Sequence, residues 1–206
     1  MQQTLPRSFF LPAPDVVARA LLGKLLLRRW EGGWLAGRIV ETEAYFGVDD
    51  PAAHAYAGRT PRNSVLFGPP GHAYVYFIYG LHACLNVSCE PNGVAGCVLL
   101  RALEPFEGLD EMARLRGLSK GASPRLLTSG PGRLCQALGI TRERLNGVDL
   151  LDPAGELLLA EPEDGWVPGE IALTPRIGIR KAAERPLRFI LAGNPYVSGA
   201  RVRGVS

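Results

Sequence analysis

Short runs of apolar, β-branched and aromatic residues, some of them alternating with polar residues, dominate this chain, and such runs between turn residues are typical of β-strands. The pattern predicts strands at 25–29, 34–43, 73–79, 81–88 and 98–103, with shorter ones at 157–160 and 187–191. Helical spacing is confined to 15–23, 107–117 and a segment after the glycine-rich turn at 129–132. The pattern therefore predicts a protein built on a β-sheet with a few short helices.

The stretch 37–54 contains the most informative of these strands. Because side chains alternate between the two faces of a strand, Glu41, Glu43 and Tyr45 share one face. Two carboxylates and an aromatic ring suit the wall of a polar pocket better than a core layer. Taken alone, however, the stretch favours a simpler interpretation, a solvent-facing edge strand with two ordinary surface glutamates.

The stretch 72–90 is aromatic and rich in β-branched residues, and Gly80 interrupts it, so it predicts a β-hairpin. Tyr74 and Tyr76 point to one face of the first strand. Tyr79 stands beside the turn, where no neighbouring residue would bury it. An aromatic side chain there is more often a matter of packing, but in a nucleic-acid-binding protein it has the shape of a wedge that enters a base stack.

Several arginines occur where an anion or a carboxylate could meet them. Arg101 interrupts the apolar run 98–103 and therefore needs a partner, either a protein side chain or a phosphate. Arg59 and Arg62 lie in a loop rich in glycine and proline and are candidate phosphate contacts.

A second candidate phosphate contact is the glycine-rich turn that opens with Ser129 and Gly130 and is followed by Arg133. Free backbone N–H groups at such a turn can hold a phosphate. The segment lacks the lysine of a Walker motif, so the signal from these residues alone is weak.

Composition adds limits to this picture. A chain of 206 residues with 47% apolar content can bury one sizeable core, which favours a single domain over 1–206. The net charge is only +3, but seven acidic and no basic residues lie in 149–170, and seven basic residues lie in 176–206 beside Glu184. Such segregation favours a face that meets a polyanion, and accidental clustering on solvated loops explains it almost equally well.

The four cysteines form no CxxC pair and no zinc-finger spacing with histidine, so they are expected to be reduced, mostly buried thiols, without a bound metal. No apolar run reaches membrane-spanning length, and the N-terminus lacks the charged and apolar regions of a signal peptide. These features predict a cytoplasmic protein.

Seven motifs occur in the order in which one enzyme family carries them, and through them the chain resembles the alkyladenine DNA glycosylase family from about Leu21 to Ser198. They are ETEAY at 41–45, TPRN at 60–63, YVYFIYG at 74–80, CVLLRALEP at 97–105, SGPGRLCQALGI at 129–140, RPLRF at 185–189 and GNPYVS at 193–198. His54 and Asn86 fit as well. Compared with the larger eukaryotic members, this chain is expected to be without their N-terminal extension and to carry an insertion around residues 90–96.

The resemblance implies a role for each matching residue. Glu43 would be the general base that activates the attacking water, and Arg101 would hold the backbone near the flipped nucleotide. Tyr79 would fill the gap left in the duplex. A pocket for the flipped base would be formed by four residues: Tyr45 on one face of the base, His54 and Tyr76 on the other, and Asn86 on the floor, where it would exclude guanine through its 2-amino group.

Strand pattern, length and resemblance together predict an α+β fold, a single domain with a curved, mostly antiparallel sheet, surrounding helices and a protruding β-hairpin. The implied function is a monomeric base-excision DNA glycosylase, nucleoid-associated if bacterial. It would act on alkylated or deaminated purines in double-stranded DNA, such as 3-methyladenine, 7-methylguanine, hypoxanthine and ethenoadenine. No cofactor is implied. With three lysines in the chain and none in the pocket motifs, the enzyme is expected to be monofunctional, without strand cleavage.

Three alternatives remain at this point. One is a DNA lesion-binding protein that flips bases without cutting. Another is a carbohydrate glycosidase that uses Glu41 and Glu43 as its pair, although carboxylates on one wall do not flank a substrate. The third is an RNA-binding module.

Overall fold

Eight strands form one curled antiparallel sheet in the computed structural model of this chain, which describes residues 3–78, 82–163 and 165–199. The strands are β1 (Leu25–Trp30), β2 (Gly33–Phe46), β3 (Ala73–Ile78), β4 (His82–Cys89), β5 (Gly96–Glu107), β6 (Leu157–Ala160), β7 (Ile171–Thr174) and β8 (Arg188–Leu191). Their order is β3-β4-β5-β2-β1-β6, with β8 also paired to β2 and β7 paired to β8. The predicted α+β fold with a curved antiparallel sheet is confirmed.

In the part of the chain that the structure describes, five short helices and two 3₁₀ turns surround the sheet. The helices are α1 (Pro14–Ala20), α2 (Leu109–Leu115), α3 (Pro124–Thr128), α4 (Pro131–Ala137) and α5 (Arg142–Leu145), and the 3₁₀ turns are Arg7–Phe10 and Ser64–Phe67. Three of the helices begin at proline, whose fixed φ suits the first helical position. Helices α1 and α4 pack against the central strands and enclose the main apolar core.

Strand β2 is the longest strand and lies inside the sheet. Strand β5 pairs along one side of it, while β1 pairs with its first half and β8 with 41–43 on the other. β2 is therefore no edge strand, and Glu41 and Glu43 are fully buried because later segments, which include Ile177 and Ser198, cover the face on which these carboxylates lie. The interpretation as a solvent-facing edge strand is therefore wrong.

Strands β3 and β4 form the predicted hairpin, with Tyr74 opposite Asn86 and Tyr76 opposite Cys84. Val75 points into the main core, whereas Tyr74 and Tyr76 point to the other face. The tip of the hairpin, with Tyr79, lies outside the described residues. The sequence analysis does not predict strand β7, whose four residues are partly buried or exposed in the structure.

Candidate active site

A cavity of about 200 Å³ opens beside the second half of β2. It is smaller than the roughly 300–1,000 Å³ of clefts that take drug-sized ligands. Five residues that the sequence assigned to one site line it: Tyr45, His54, Tyr76, Asn86 and Arg101. The loop before β3 supplies the histidine, and β2, β3, β4 and β5 supply the others, so the fold brings together residues from distant parts of the chain.

Three aromatic rings form one wall of this cavity. His54 Nδ1 lies 2.9 Å from the Tyr74 hydroxyl, and the His54 ring centre lies 4.2 Å from that of Tyr76, edge to face. Burial raises the pKa of Tyr74 to about 12 and that of Tyr76 further still. Desolvation lowers the pKa of His54, and the nearby Arg62 lowers it further. The wall is therefore aromatic and uncharged at neutral pH.

Asn86 lines the cavity and is buried, and its amide has a hydrogen-bond partner on both sides. Its Nδ2 donates to the Tyr74 carbonyl at 3.2 Å, and its Oδ1 accepts from the Cys97 thiol at 3.7 Å. Burial raises the pKa of Cys97 to about 12, so the thiol keeps the proton that it donates. The amide is thus oriented by contacts on two different strands.

Glu43 is fully buried and does not itself line the cavity, but three groups that do line it contact its carboxylate. The backbone N–H of Ile177 donates to Oε1 at 2.8 Å, and Arg101 Nη1 lies 3.2 Å from the same oxygen. The Tyr45 hydroxyl donates to Oε2 at 2.9 Å. Burial and the Glu43 carboxylate raise the pKa of Tyr45, which keeps its hydroxyl a donor.

Glu41 anchors the arginine that Glu43 contacts. Its Oε1 accepts from Arg101 Nε at 2.8 Å, from Arg188 Nε at 2.6 Å and from the Ser198 hydroxyl at 2.9 Å, and its Oε2 accepts from Ser198 N at 2.6 Å. Burial by itself would lower the pKa of Arg101, but Glu43 and Glu41 outweigh it and raise that pKa. The partner that Arg101 needs is thus a pair of carboxylates.

Three residues of this site were missed by the sequence reasoning: Asp50, Arg176 and Ile177. Arg176 is buried, pairs with both oxygens of Asp50 and lies over the Tyr45 ring, 4.6 Å from its centre. In the sequence, the only feature that points to Arg176 is its place within a largely apolar run. Arg101 has the same feature.

The residues expected to contact the DNA backbone lie in two different settings. Arg59, Arg62 and Arg133 are exposed. Ser129 donates its hydroxyl proton to the Tyr196 carbonyl at 2.6 Å, and Gly130 N donates to the Arg101 carbonyl at 3.1 Å. These contacts tie the start of α4 to the site, and binding of DNA by all five residues stays a prediction, as does the role of Tyr79.

In the described ranges, no group of three or more histidine, cysteine, aspartate or glutamate side chains could hold a metal ion. All four cysteines are free and buried, as expected. No helix in the part of the chain that the structure describes is long and apolar enough to cross a bilayer.

Comparison with known proteins places this geometry in context. The family model described as methylpurine-DNA glycosylase (MPG) matches residues 8–195. A relative from Koribacter versatilis is 58% identical over 197 residues, covering 96% of this chain and 94% of its own length. Relatives from Methanoculleus marisnigri and Carboxydothermus hydrogenoformans are 52% and 48% identical, covering 95% and 94% of this chain and 98% of their own lengths. All three carry the provisional name 3-methyladenine DNA glycosylase.

Proposed function

We propose, since this chain belongs to the methylpurine-DNA glycosylase family, that it flips alkylated or deaminated purines out of duplex DNA and hydrolyses their N-glycosidic bonds. The observation that carries this proposal is the position of Glu43. It is a fully buried carboxylate, and the groups that contact it, Ile177 N–H, Tyr45 and Arg101, all belong to residues that line the cavity.

The cavity suits a single flipped base. A base cannot react while it is stacked in the duplex, and taking it out costs a few kcal/mol, least for damaged pairs. The rings of Tyr45, Tyr76 and His54 would contact the base that has left the stack. Purines alkylated at N3 or N7 are cationic, and aromatic rings attract such cations by about 0.5–2 kcal/mol. A neutral His54 adds no charge that would repel them.

Substrate range follows from the same contacts. Stacking on aromatic rings selects electron-poor bases in general, so we expect 3-methyladenine, 7-methylguanine, hypoxanthine and ethenoadenine to be accepted. Asn86, whose amide is held by Tyr74 and Cys97, would exclude normal guanine by meeting its 2-amino group.

Chemistry would proceed by direct hydrolysis. Cleavage of the bond between the sugar C1′ and the base nitrogen builds positive charge on the sugar. Glu43 would stabilise that charge, orient a water molecule and accept its proton as the water attacks C1′. No lysine is among the described residues that line the cavity, so an amine attack that leads to strand cleavage is not expected.

DNA contacts outside the cavity complete the proposal. Tyr79 would fill the vacancy in the duplex, and Arg101 would hold the backbone near the flipped nucleotide. The exposed side chains of Arg59, Arg62 and Arg133 would bind phosphates, as would the turn at Ser129 and Gly130. One copy of the chain would act on double-stranded DNA without a cofactor.

The test is single-turnover excision, with enzyme in excess, on a duplex that contains one hypoxanthine. We expect wild type to produce alkali-labile sites and no strand breaks without alkali. Glu43→Gln should bind the lesion but lose about 10²–10⁴-fold in rate. Glu161→Gln is the matched control, because Glu161 is a partly exposed surface glutamate that pairs with Lys24.

Two other outcomes would contradict parts of the proposed function. Equal rates for wild type and Glu43→Gln would contradict the role of Glu43. Wild-type protein that binds lesions but cuts neither hypoxanthine nor methylated purines would be a lesion-binding protein instead of an enzyme.

A further inference from the structure

Arg176 is a buried arginine whose contacts join three segments that form the cavity. Its Nη1 donates to the Ala44 carbonyl of β2 at 3.0 Å, and its Nη2 donates to the Ala182 carbonyl at 3.4 Å. The same two nitrogens bind the two carboxylate oxygens of Asp50, which lies in the turn that leads to His54. One guanidinium thus ties β2, the His54 loop and the segment 176–182 together.

The guanidinium also supports an aromatic ring of the cavity. It lies over Tyr45, 4.6 Å from the ring centre. Tyr45 lines the cavity, whereas Arg176 does not and is buried. The contact therefore supports the ring from behind, and a planar cation over an aromatic face is a favourable arrangement.

The residue after Arg176 completes the link to Glu43. Ile177 donates its backbone N–H to Glu43 Oε1 at 2.8 Å, and the side chain of Tyr45 donates to Oε2. Two groups that donate to Glu43 therefore lie next to Arg176. Ile177 follows it in the chain, and Tyr45 stacks against its guanidinium. Movement of Arg176 would displace both.

We propose that Arg176 is a positioning residue for base excision, which holds the Tyr45 ring and the Ile177 N–H in the arrangement that orients Glu43. This inference rests on the proposed function. Arg176 acts through its neighbours and touches neither the base nor the attacking water.

The substitution Arg176→Lys separates this role from simple charge balance. Lysine keeps the positive charge beside Asp50, but it is a point charge without the planar fork. It cannot stack on Tyr45 and donate to the Ala44 carbonyl, the Ala182 carbonyl and both oxygens of Asp50 together. A misplacement of about 1 Å at a catalytic group can lower a rate by about 10²-fold. We therefore expect the single-turnover rate at saturating enzyme to fall by about that factor.

Arg28→Lys is the matched control. Arg28 is also fully buried, pairs with Glu156 and lies 5.4 Å from the centre of the Trp30 ring. It belongs to β1, from which no residue lines the cavity. If Arg176 were only structural, both lysine variants would lower the midpoint of thermal unfolding and leave the rate unchanged at a temperature where both are folded.

The experiment measures the saturating rate, the enzyme concentration at half-saturation and the unfolding midpoint for wild type and both variants. A large loss of rate in Arg176→Lys alone supports the proposal, and a folded Arg176→Lys with the wild-type rate overturns it.

If Arg176→Lys does not fold, the double variant Arg176→Gln with Asp50→Asn removes both buried charges together and should show the same loss. A double variant with the wild-type rate overturns the proposal. Wild type that excises no damaged purine overturns the proposed function and this inference with it.

Discussion

Two regions of the sheet contain the same ingredients and use them differently. At the edge formed by β1 and β6, Arg28 is fully buried, but its partner Glu156 is 48% exposed and also pairs with Arg144. Beside the cavity, Arg101 is 7% exposed and both of its carboxylate partners, Glu41 and Glu43, are 0% exposed. Each region thus has a buried arginine, but only the cavity buries the carboxylates as well.

The difference shows where charge can be functional. A carboxylate in water is screened and can move, so an exposed pair contributes little. A carboxylate that is buried away from water must receive each hydrogen bond from the protein, so the fold sets the orientation of its two oxygens. The four donor contacts on Glu41 and the three around Glu43 are of this second kind.

The same comparison explains the segregated charges of the chain. Acidic residues of 149–170 pair with basic residues elsewhere: Asp149 with Arg7, Glu156 with Arg28 and Arg144, and Glu161 with Lys24. Two basic residues of the C-terminal segment, Arg176 and Arg188, are buried against carboxylates. Segregation along the sequence is therefore partly internal pairing and is weaker evidence for a polyanion surface than it first suggests.

The largest effect is expected from Glu41→Gln. This change removes the charge that compensates Arg101 and Arg188, and breaking a buried ion pair costs about 3–5 kcal/mol. We expect the free energy of unfolding to fall by that amount, measured by urea denaturation. A loss below about 1 kcal/mol would show that the cavity pairs are no more consequential than those at the sheet edge.

A smaller effect, on chemistry, is expected from Tyr45→Phe. The ring remains, but Glu43 loses the hydroxyl that donates to Oε2. A hydrogen bond to a charged group contributes about 1.5–3 kcal/mol, which corresponds to roughly 10- to 100-fold in rate. Single-turnover excision measures this loss, with Tyr196→Phe as control because Tyr196 does not line the cavity. An unchanged rate would mean that this hydrogen bond does not contribute to catalysis.

The smallest effect is expected from Glu161→Gln at the sheet edge. Its pair with Lys24 has a distance of 2.5 Å, yet the Glu161 side chain is 39% exposed. Such pairs contribute about 0–1 kcal/mol, and salt screens them. Urea denaturation at low and high salt should show a small change that shrinks as salt rises. A loss comparable to that of Glu41→Gln would remove the distinction between the two regions.

Particular residues show how far the sequence leads. The period of two placed Glu43 and Tyr45 on one face, and in the structure the Tyr45 hydroxyl donates to Glu43 while the Tyr45 ring lines the cavity. The aromatic alternation of 73–79 placed Tyr74 and Tyr76 together, and the same rings form its wall. The sequence also favoured an exposed edge strand, because the pattern within one strand does not reveal which strands lie beside it.

The chain by itself therefore determined every strand except β7, the face on which the strand side chains lie and, through ordered motifs, five of the residues that line the pocket. Only the tertiary structure decided which groups contact the carboxylates. Ile177 reaches Glu43 across 134 positions, and Arg176 reaches Asp50 across 126. Side-chain periodicity is set by local backbone geometry, whereas burial and hydrogen bonding of a carboxylate depend on strand neighbours and loops brought together from the whole chain. That is why the sequence could predict Glu43 as the general base, whereas it could not reveal that Ile177 contacts this carboxylate and Arg176 the Tyr45 ring beside it.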